Sequence, residues 1–343
     1  MSAGTDLHSG PSVSVVIPNY NYAKTLRACL DSVFAQTLRP LEVILVDDAS
    51  TDDSADIALA TGATVLRQDR NRGVSAARNT GAAAASGDIL FFLDSDVALA
   101  PDAISAAVAV LAAHPDCGCV YGVYDKHPLI DDGPIERYRT LHLHHALTRA
   151  TGETSSAVFA LAAVPRAVFT ELGGFDEQLR AAEDDDYSER LLRRYRIRRT
   201  AAMVGRHDES DRLLPTLVEQ FHRAQLMPFA VRNRLRRNAL VLNRGSGLVA
   251  AGLAVLSVPL VLRWPTVALL TAALLVVFAV CDPSLIRFVR REKGLPFLAF
   301  FLGVHLLVNL ALLAGALVGW SRATLDRSFG PSSRDADRRS EMA

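Results

Sequence analysis

Glu42-Val43-Ile44-Leu45-Val46-Asp47-Asp48-Ala49-Ser50-Thr51-Asp52 is the stretch that decides the fold. A β-branched apolar run stops abruptly at two aspartates, and a polar loop with helix-start residues follows. Upstream, Val13-Ser14-Val15-Val16-Ile17 reads as a buried strand ending at Pro18. Between the two, Ala23 to Gln36 carries Leu26, Leu30, Val33 and Phe34 at helical spacing. Downstream, Ala63-Thr64-Val65-Leu66 is a weaker strand and Ser75 to Ala85 an alanine-rich helix. Ile89-Leu90-Phe91-Phe92-Leu93 is a further strand, closed by Asp94-Ser95-Asp96. Strands alternating with helices predict an α/β fold with a mostly parallel sheet and right-handed crossovers. Such sheets bind ligands beyond the carboxyl ends of their strands, where two of these strands carry acidic pairs.

The 343 residues suffice for one large domain and an appendage. Lys and Arg number 37, as do Asp and Glu, so no global charge points to nucleic acid as a partner. The balance hides an asymmetry. Acidic residues crowd the first two thirds, whereas the last hundred residues are apolar and carry mainly Arg, which accounts for the positive mean hydropathy of +0.19. Cys29, Cys117, Cys119 and Cys281 form no paired framework, and Cys117-Gly118-Cys119 is too tight for a zinc knuckle. They read as small buried thiols in a reducing compartment. The polar first dozen residues carry no apolar core of a secretory signal, so the catalytic part is expected on the cytoplasmic side.

From Gly245 to Cys281 the chain is apolar apart from Arg263, which Pro259 and Pro265 flank. One straight helix of that length would be about 55 Å, against a hydrocarbon core of roughly 30 Å. Two short spans meeting near Arg263-Trp264-Pro265 are therefore expected, with another at Leu295–Trp320. Arg232, Arg234, Arg236, Arg237 and Arg244 precede the first span, and Arg287, Arg290, Arg291 and Lys293 follow the hairpin; both groups suit the cytoplasmic side. A third span would put the Arg-containing tail outside, against that rule, so two or three spans stay open. Leu213 to Arg237 is expected as one or two amphipathic helices on the membrane surface. The expected organisation is a disordered 1–11, an α/β domain over 12–210, an interfacial linker over 211–244, transmembrane helices over 245–320, and a disordered tail over 321–343.

Acidic groups gather at Asp47-Asp48, at Asp94-Ser95-Asp96 and at Glu183-Asp184-Asp185-Asp186, past the turn at Gly173-Gly174. Carboxylates at strand ends repel one another unless a cation or hydrogen-bond donors lie between them. Mg²⁺ or Mn²⁺ suits oxygen ligands and leaves positions for a diphosphate. Taken alone, an Asp-x-Asp is also an ordinary turn, and Glu183–Asp186 also suits a solvated helix N-terminus.

The order of motifs is more specific. Ser14–Asn21, Ser32–Thr37, Glu42–Asp52, Asn71-Arg72-Gly73 through Arg78-Asn79, and Asp94-Ser95-Asp96 follow one another, and Gly173-Gly174-Phe175-Asp176-Glu177 with Glu183-Asp184 comes later. Over roughly residues 12–210 this series resembles the family 2 glycosyltransferases. The resemblance implies a GT-A fold, a Rossmann-like, mostly parallel sheet, here followed by transmembrane helices. It implies that Pro18, Tyr20 and Asp48 hold the nucleoside and that Arg78 contacts the nucleotide or its phosphates. Asp94 would face the ribose or donor sugar, and Asp96 would bind the metal bridging the diphosphate. Asp184 would be the general base, with Glu183 beside it, and His207 would offer a further metal or phosphate contact. A single displacement on a nucleotide-sugar would invert the anomeric centre.

His142, His144 and His145 do not share one helical face, so they make no obvious metal site. Gln220-Phe221-His222-Arg223-Ala224 departs at its last position from the Gln-x-x-Arg-Trp of processive members, which favours transfer of a single sugar. The resulting expectation is a metal-dependent, inverting glycosyltransferase using a nucleotide-sugar, UDP-linked by default. It would act on a lipid-linked or cell-envelope glycan acceptor at the cytoplasmic membrane face, with Mg²⁺ or Mn²⁺ as cofactor and no nucleic acid partner. Transfer to a polyprenyl phosphate, or a non-catalytic membrane scaffold that binds sugar nucleotide, are the alternatives.

Overall fold

The computed structural model describes residues 10–179, 182–236, 247–326 and 329–330. The expectations for residues 1–9, for Arg237 and Arg244, and for most of the 321–343 tail lie outside the described residues. Two compact units are present. One takes the described residues up to Asp131 together with Leu143–Glu209; the other takes Asp132–His142 and the described residues from Ser210 onward. The short segment Asp132–His142 therefore leaves the α/β domain in which the sequence places it.

In the first unit the early apolar runs are strands β1 (Val13–Asn19), β2 (Glu42–Asp47), β3 (Thr64–Arg67) and β4 (Ile89–Leu93). They are joined by helices α1 (Ala23–Phe34), α2 (Ser54–Thr61) and α3 (Val74–Ala84). Then come β5 (Val97–Leu99), α4 (Ala103–Ala113), β6 (Cys117–Tyr124), α5 (Pro134–Thr148; up to His142 it counts with the second unit), β7 (Gly152–Thr154) and β8 (Leu161–Pro165). Helices α6 (Arg166–Leu172) and α7 (Glu183–Leu191) precede the long strand β9 (Arg196–His207).

All these strands share one sheet in the order β3-β2-β1-β4-β8-β6-β9-β5, with β7 attached to β9. Strands β1 to β4 pair in parallel, as the alternation of elements predicts. Beyond β4 the sheet is mixed. Strand β8 enters antiparallel between β4 and β6, and β5 and β7 lie antiparallel on β9, while β9 runs parallel to β6. Side chains alternate faces along β1. Val15 and Ile17 pack with Leu26, Leu30 and Val33 of α1, while Val16 packs with Ala77 of α3 on the other face. Phe34, expected on the buried stripe of α1, is exposed, and Cys29 is buried in its stead. Cys29, Cys117 and Cys119 are buried and unpaired.

On the α3 face, Phe92, Phe159, Phe169, Phe175 and Tyr187 stack edge to face and tilted, with centroids 4.9 to 5.9 Å apart. Burying each such ring stabilises by about 1.5–3 kcal/mol. The cluster fixes α7 and the Gly173-Gly174 turn against the sheet, and thereby sets the height of the Glu183–Asp186 carboxylates.

The second unit is helical: α8 (Leu213–Gln225), α9 (Met227–Arg236), α10 (Leu248–Val261), α11 (Val267–Val280) and α12 (Pro283–Leu325). The break expected at Arg263-Trp264-Pro265 is the turn between α10 and α11, where Trp264 N–H donates to the Leu260 carbonyl. Each arm has 14 residues. At 1.5 Å per residue that is about 21 Å, short of the roughly 30 Å of a bilayer core. Against the expectation of two or three spans, one helix among the described residues, α12, is long and apolar enough to cross a membrane. It begins on an N-cap, with Asp282 Oδ1 accepting from Ser284 N and Leu285 N, and bends at Gly294, whose φ is +79°.

Helix α8 packs along α12. Gly315 and Gly319 let the two backbones meet, because a Cβ at either would run into the carbonyl of Phe221 or of Gln225. Arg322 Nη1 closes the contact by donating to Gln225 Oε1 at 2.9 Å. Gly319→Leu is expected to lower the thermal stability of the detergent-solubilised chain, at a cost of about 1–3 kcal/mol for forced overpacking. An unchanged melting temperature would mean that the two helices are not in close contact.

Candidate active site

Register carries the site residues to one edge. Asn19 of β1 pairs with Asp47 of β2, so both strands end level, and Asp48 N–H then donates to the Asn19 carbonyl at 2.8 Å. Pro18 is buried beside Val46, and Tyr20, just past the strand, is exposed. Ala49 adopts φ +62°, a left-handed turn that costs a non-glycine residue about 1–2 kcal/mol. That turn aims the Asp48 carboxylate across to the loop before α3. There Oδ1 accepts from Arg72 N–H and Oδ2 from Gly73 N–H, each at 2.8 Å. Asp48 therefore grips backbone, a structural role that the sequence reading did not assign it.

Arg78 is the hub of the acidic groups. It projects from α3, is almost wholly buried, and packs its guanidinium over the Phe175 ring at 5.4 Å. Nη2 donates to Asp94 Oδ1 at 2.9 Å, while Nη1 meets Asp184 Oδ1 at 3.2 Å and Glu183 Oε1 at 3.5 Å. Asp94 at the end of β4 and the acidic start of α7 are thus joined through one cation. The resemblance implied contact with nucleotide; the geometry shows Arg78 committed to carboxylates. Burial alone would lower the affinity of Arg78 for its proton, but the charges of Asp94, Asp184 and Glu183 raise it above the usual arginine value. Burial raises Asp94, reinforced by Asp96 and opposed by Arg78.

Asp184 is displaced furthest. Burial pushes its carboxyl up to about 7 against the pull of Arg78, with the charge of Glu183 adding to the rise. Its Oδ2 accepts from Phe159 N–H at 3.1 Å, which fixes its rotamer. Ala182, the residue before α7, has φ +65°, so the helix opens with backbone strain. A carboxylate poised near neutrality beside a buried cation suits proton transfer.

Asp96 and His207 lie side by side. Nε2 of His207, at the end of β9, lies 3.5 Å from Asp96 Oδ1, an oxygen that is buried and meets no hydrogen-bond donor. The other ring nitrogen, Nδ1, contacts Glu209 Oε1 at 3.0 Å, and Tyr124 stacks on the ring with centroids 4.7 Å apart. Burial alone would lower the His207 pKa, but Asp96 and Glu209 push it up to about 10. Tyr22 joins from the other side. The charge of Asp96, then burial, push its hydroxyl up to about 12. Among the described residues no three His, Cys, Asp or Glu side chains form a ready-made cation site. The unpaired Oδ1 of Asp96 and the oriented imidazole of His207 still fit Mg²⁺ or Mn²⁺, which bind through one or two carboxylates, water and substrate phosphates.

Sequence reasoning missed Tyr22 and Tyr124, which lie outside the motifs and reach the site only through the fold, and Glu209, two residues past His207. It also missed the brace behind the Gly173-Gly174 turn. Asn79 donates to the Phe175 carbonyl at 2.9 Å and accepts from Phe175 N–H at 2.8 Å. A Cβ on Gly174 would collide with that Asn79 side chain. Arg72 and Asn79 both bond Glu177, at 2.7 and 3.0 Å, so the loop pinned by Asp48 also holds the Phe175–Glu177 segment. The three histidines of α5 serve different neighbours. His144 meets the Tyr124 carbonyl at 2.7 Å, His145 is buried, and His142 lies against Tyr138 and His305.

Residues 14–172 match the family model described as glycosyl transferase family 2. That match identifies residues 14–172 as a family 2 glycosyltransferase region. A protein of Haemophilus influenzae described as an uncharacterized glycosyltransferase is 29% identical over 191 residues, 52% of this chain and 62% of its own length. The pre-mycofactocin glycosyltransferase of Mycobacterium tuberculosis is 32% identical over 254 residues, 69% of this chain and 52% of its own length. The chain thus spans between half and two thirds of the length of these curated relatives. Among solved structures, a mannosyltransferase from Pyrobaculum calidifontis, in complex with GDP-Man and Mn²⁺, superposes with a TM-score of 0.56 at 22% identity. The superposition covers 91% of this chain and 87% of that one, and the likeness is one of fold, the GT-A fold.

Proposed function

We propose that this chain transfers a single sugar, with inversion, from a nucleotide-sugar to a lipid-linked or cell-envelope glycan acceptor at the cytoplasmic membrane face. The observation that carries this reading is the meeting of Asp94, Glu183 and Asp184 on buried Arg78, one residue away from the Asp96–His207 pair. Pro18, Tyr20 and the loop held by Asp48 take the nucleoside. Asp96 and His207 hold Mg²⁺ or Mn²⁺, which supplies neutralisation of the charge developing on the leaving diphosphate. Asp184 accepts the proton of the incoming hydroxyl. Arg78 keeps Asp184 near neutrality, where a base is most effective. Membrane attachment rests on α12, and the positive-inside rule sets Arg287, Arg290, Arg291 and Lys293 on the side of the catalytic unit.

UDP is the default donor nucleotide, and the GDP-Man of the Pyrobaculum enzyme makes GDP the next to test. A second reading is favoured by Arg78 itself. A polyprenyl phosphate acceptor is already anionic and needs no base, and the ion pair with Arg78 tempers the acidic site that it would approach. Activity that survives loss of both Glu183 and Asp184 would select it.

The test of the donor site is calorimetric titration of the full chain in detergent with UDP, GDP and dTDP, with and without Mn²⁺. One nucleotide is expected to bind in a metal-dependent manner. Asp96→Ala is expected to weaken that binding by at least about 10-fold, as loss of a direct or outer-shell ligand does. Absence of binding by all three, in protein that melts cooperatively, would remove the central support of the transferase reading.

A further inference from the structure

The opening stretch of α12, Pro283 to Lys293, takes no part in the chemistry above. Leu285 and Val289 are buried in the core of the second unit, with Ile286 and Phe288 packed at its edge. The opposite face carries Arg287, Arg290 and Arg291 at i, i+3 and i+4, so the three guanidinium groups project together. Lys293 extends this row, and all four cations are exposed. The acidic groups on the same stretch are two. Asp282 is spent capping the helix, its Oδ1 accepting from Ser284 and Leu285, and Glu292 lies off the arginine face. Among the described residues none of the four cations is recorded in an ion pair with a carboxylate, and Arg287 donates only to the carbonyl of Pro283, at 3.1 Å.

The surroundings of this stretch are apolar. It follows directly on α11, whose Leu269, Leu270, Val276, Val277 and Val280 are exposed. At Gly294 the left-handed backbone turns the chain, and exposed Leu295 opens the long apolar run of α12. A short basic helix is thus set, by the bend at Gly294, between two elements that expose apolar side chains. Long arginine and lysine side chains in such a place bury their stems and extend their charges into the headgroup layer.

We propose that Pro283–Lys293 is an anionic-lipid docking helix, whose Arg287, Arg290, Arg291 and Lys293 bind the phosphate groups of acidic phospholipids. The proposal rests on membrane attachment through α12 but is independent of the sugar-transfer reading. Charge complementarity selects acidic lipid over neutral lipid. Each cation near an anionic surface strengthens attraction roughly five-fold at low ionic strength, and salt screens the effect. The continuity with exposed apolar helices selects a lipid surface over an acidic protein.

The full chain, reconstituted in phosphatidylcholine vesicles without any nucleotide-sugar, would be probed with spin-labelled phosphatidylglycerol and spin-labelled phosphatidylcholine. The fraction of each label immobilised by the protein gives its relative affinity. A several-fold preference for phosphatidylglycerol is expected, falling as salt is raised. It should approach parity in the combined Arg287→Gln, Arg290→Gln, Arg291→Gln and Lys293→Gln variant. Replacing the three arginines by lysine is expected to keep the preference, which separates charge from any change of fold. Equal affinities in the wild type, or a preference unchanged in the glutamine variant, would overturn the proposal. Protein that fails to enter the vesicles would instead overturn the membrane reading of α12, and the docking helix with it. Sugar transfer is not measured, so failure of the transferase reading leaves this outcome untouched.

Discussion

Asp184→Asn is expected to lower sugar transfer by about 10²–10⁴-fold, the usual contribution of a general base, while nucleotide binding persists. The carboxyl is buried, fixed by Phe159 N–H, and pushed up to about 7. Wild-type transfer should therefore rise as pH passes through about 7, where the carboxyl loses its proton, and that rise should vanish in the variant. Stability follows the opposite course. A carboxyl whose folded pKa lies above its ordinary 3.8 contributes stability that is fully present below that value and lost as pH climbs through about 7. The amide cannot ionise, so the variant lacks the loss of stability that the wild type suffers between its ordinary 3.8 and about 7. Melting curves across that range, with transfer measured from the nucleotide-sugar whose diphosphate binds, check both halves. Full transfer by the variant would exclude Asp184 as the base.

Arg78→Met should be the most damaging single change to the catalytic unit. The methionine fills similar space, but Asp94, Glu183 and Asp184 lose the cation that they share. Breaking a buried ion pair by removing one partner costs about 3 kcal/mol or more. Here part of that cost is escaped by protonation, since Asp94 and Asp184 are already raised. The destabilisation should therefore be mild in acid and grow as pH rises past 7, and any residual transfer should need a more alkaline pH. Arg78→Lys keeps the charge but not the fork that reaches two carboxylates at once, and should fall between the two. A methionine variant as stable as the wild type at alkaline pH would show that the acidic groups do not depend on Arg78. Donor titration on the same protein separates this role from direct contact with the nucleotide.

The parallel half of the sheet was legible because each of its strands is an uninterrupted apolar run closed by a polar turn. Val43–Val46 and Ile89–Leu93 permit few other readings. The antiparallel half was not. Leu161-Ala162-Ala163-Val164 is short and alanine-rich, and its place between β4 and β6 depends on long-range pairing that no local pattern encodes. The same holds within the site. Asp94, Asp96 and Asp184 belong to recognisable motifs, whereas Tyr124 stacks on His207 only once β9 lies beside β6. Arg78 was named from its motif, but its carboxylate partners were not, because a sequence does not say which of several nearby acids a buried cation will reach. In the helical unit the apolar runs were legible as helices, but their ends were not, since hydropathy does not reveal where a helix stops.

Gly315 and Gly319 form, with Ala316, Leu317 and Val318 between them, the small-xxx-small pattern that usually marks where two apolar helices pair. In this chain the partner is α8, whose carbonyls at Phe221 and Gln225 already fill the notch. A peptide comprising α12 alone should therefore self-associate in micelles where the whole protein has that face plugged. Loss of α8 would be felt as adhesiveness: a surface kept quiet by its own neighbour would become a seam between copies.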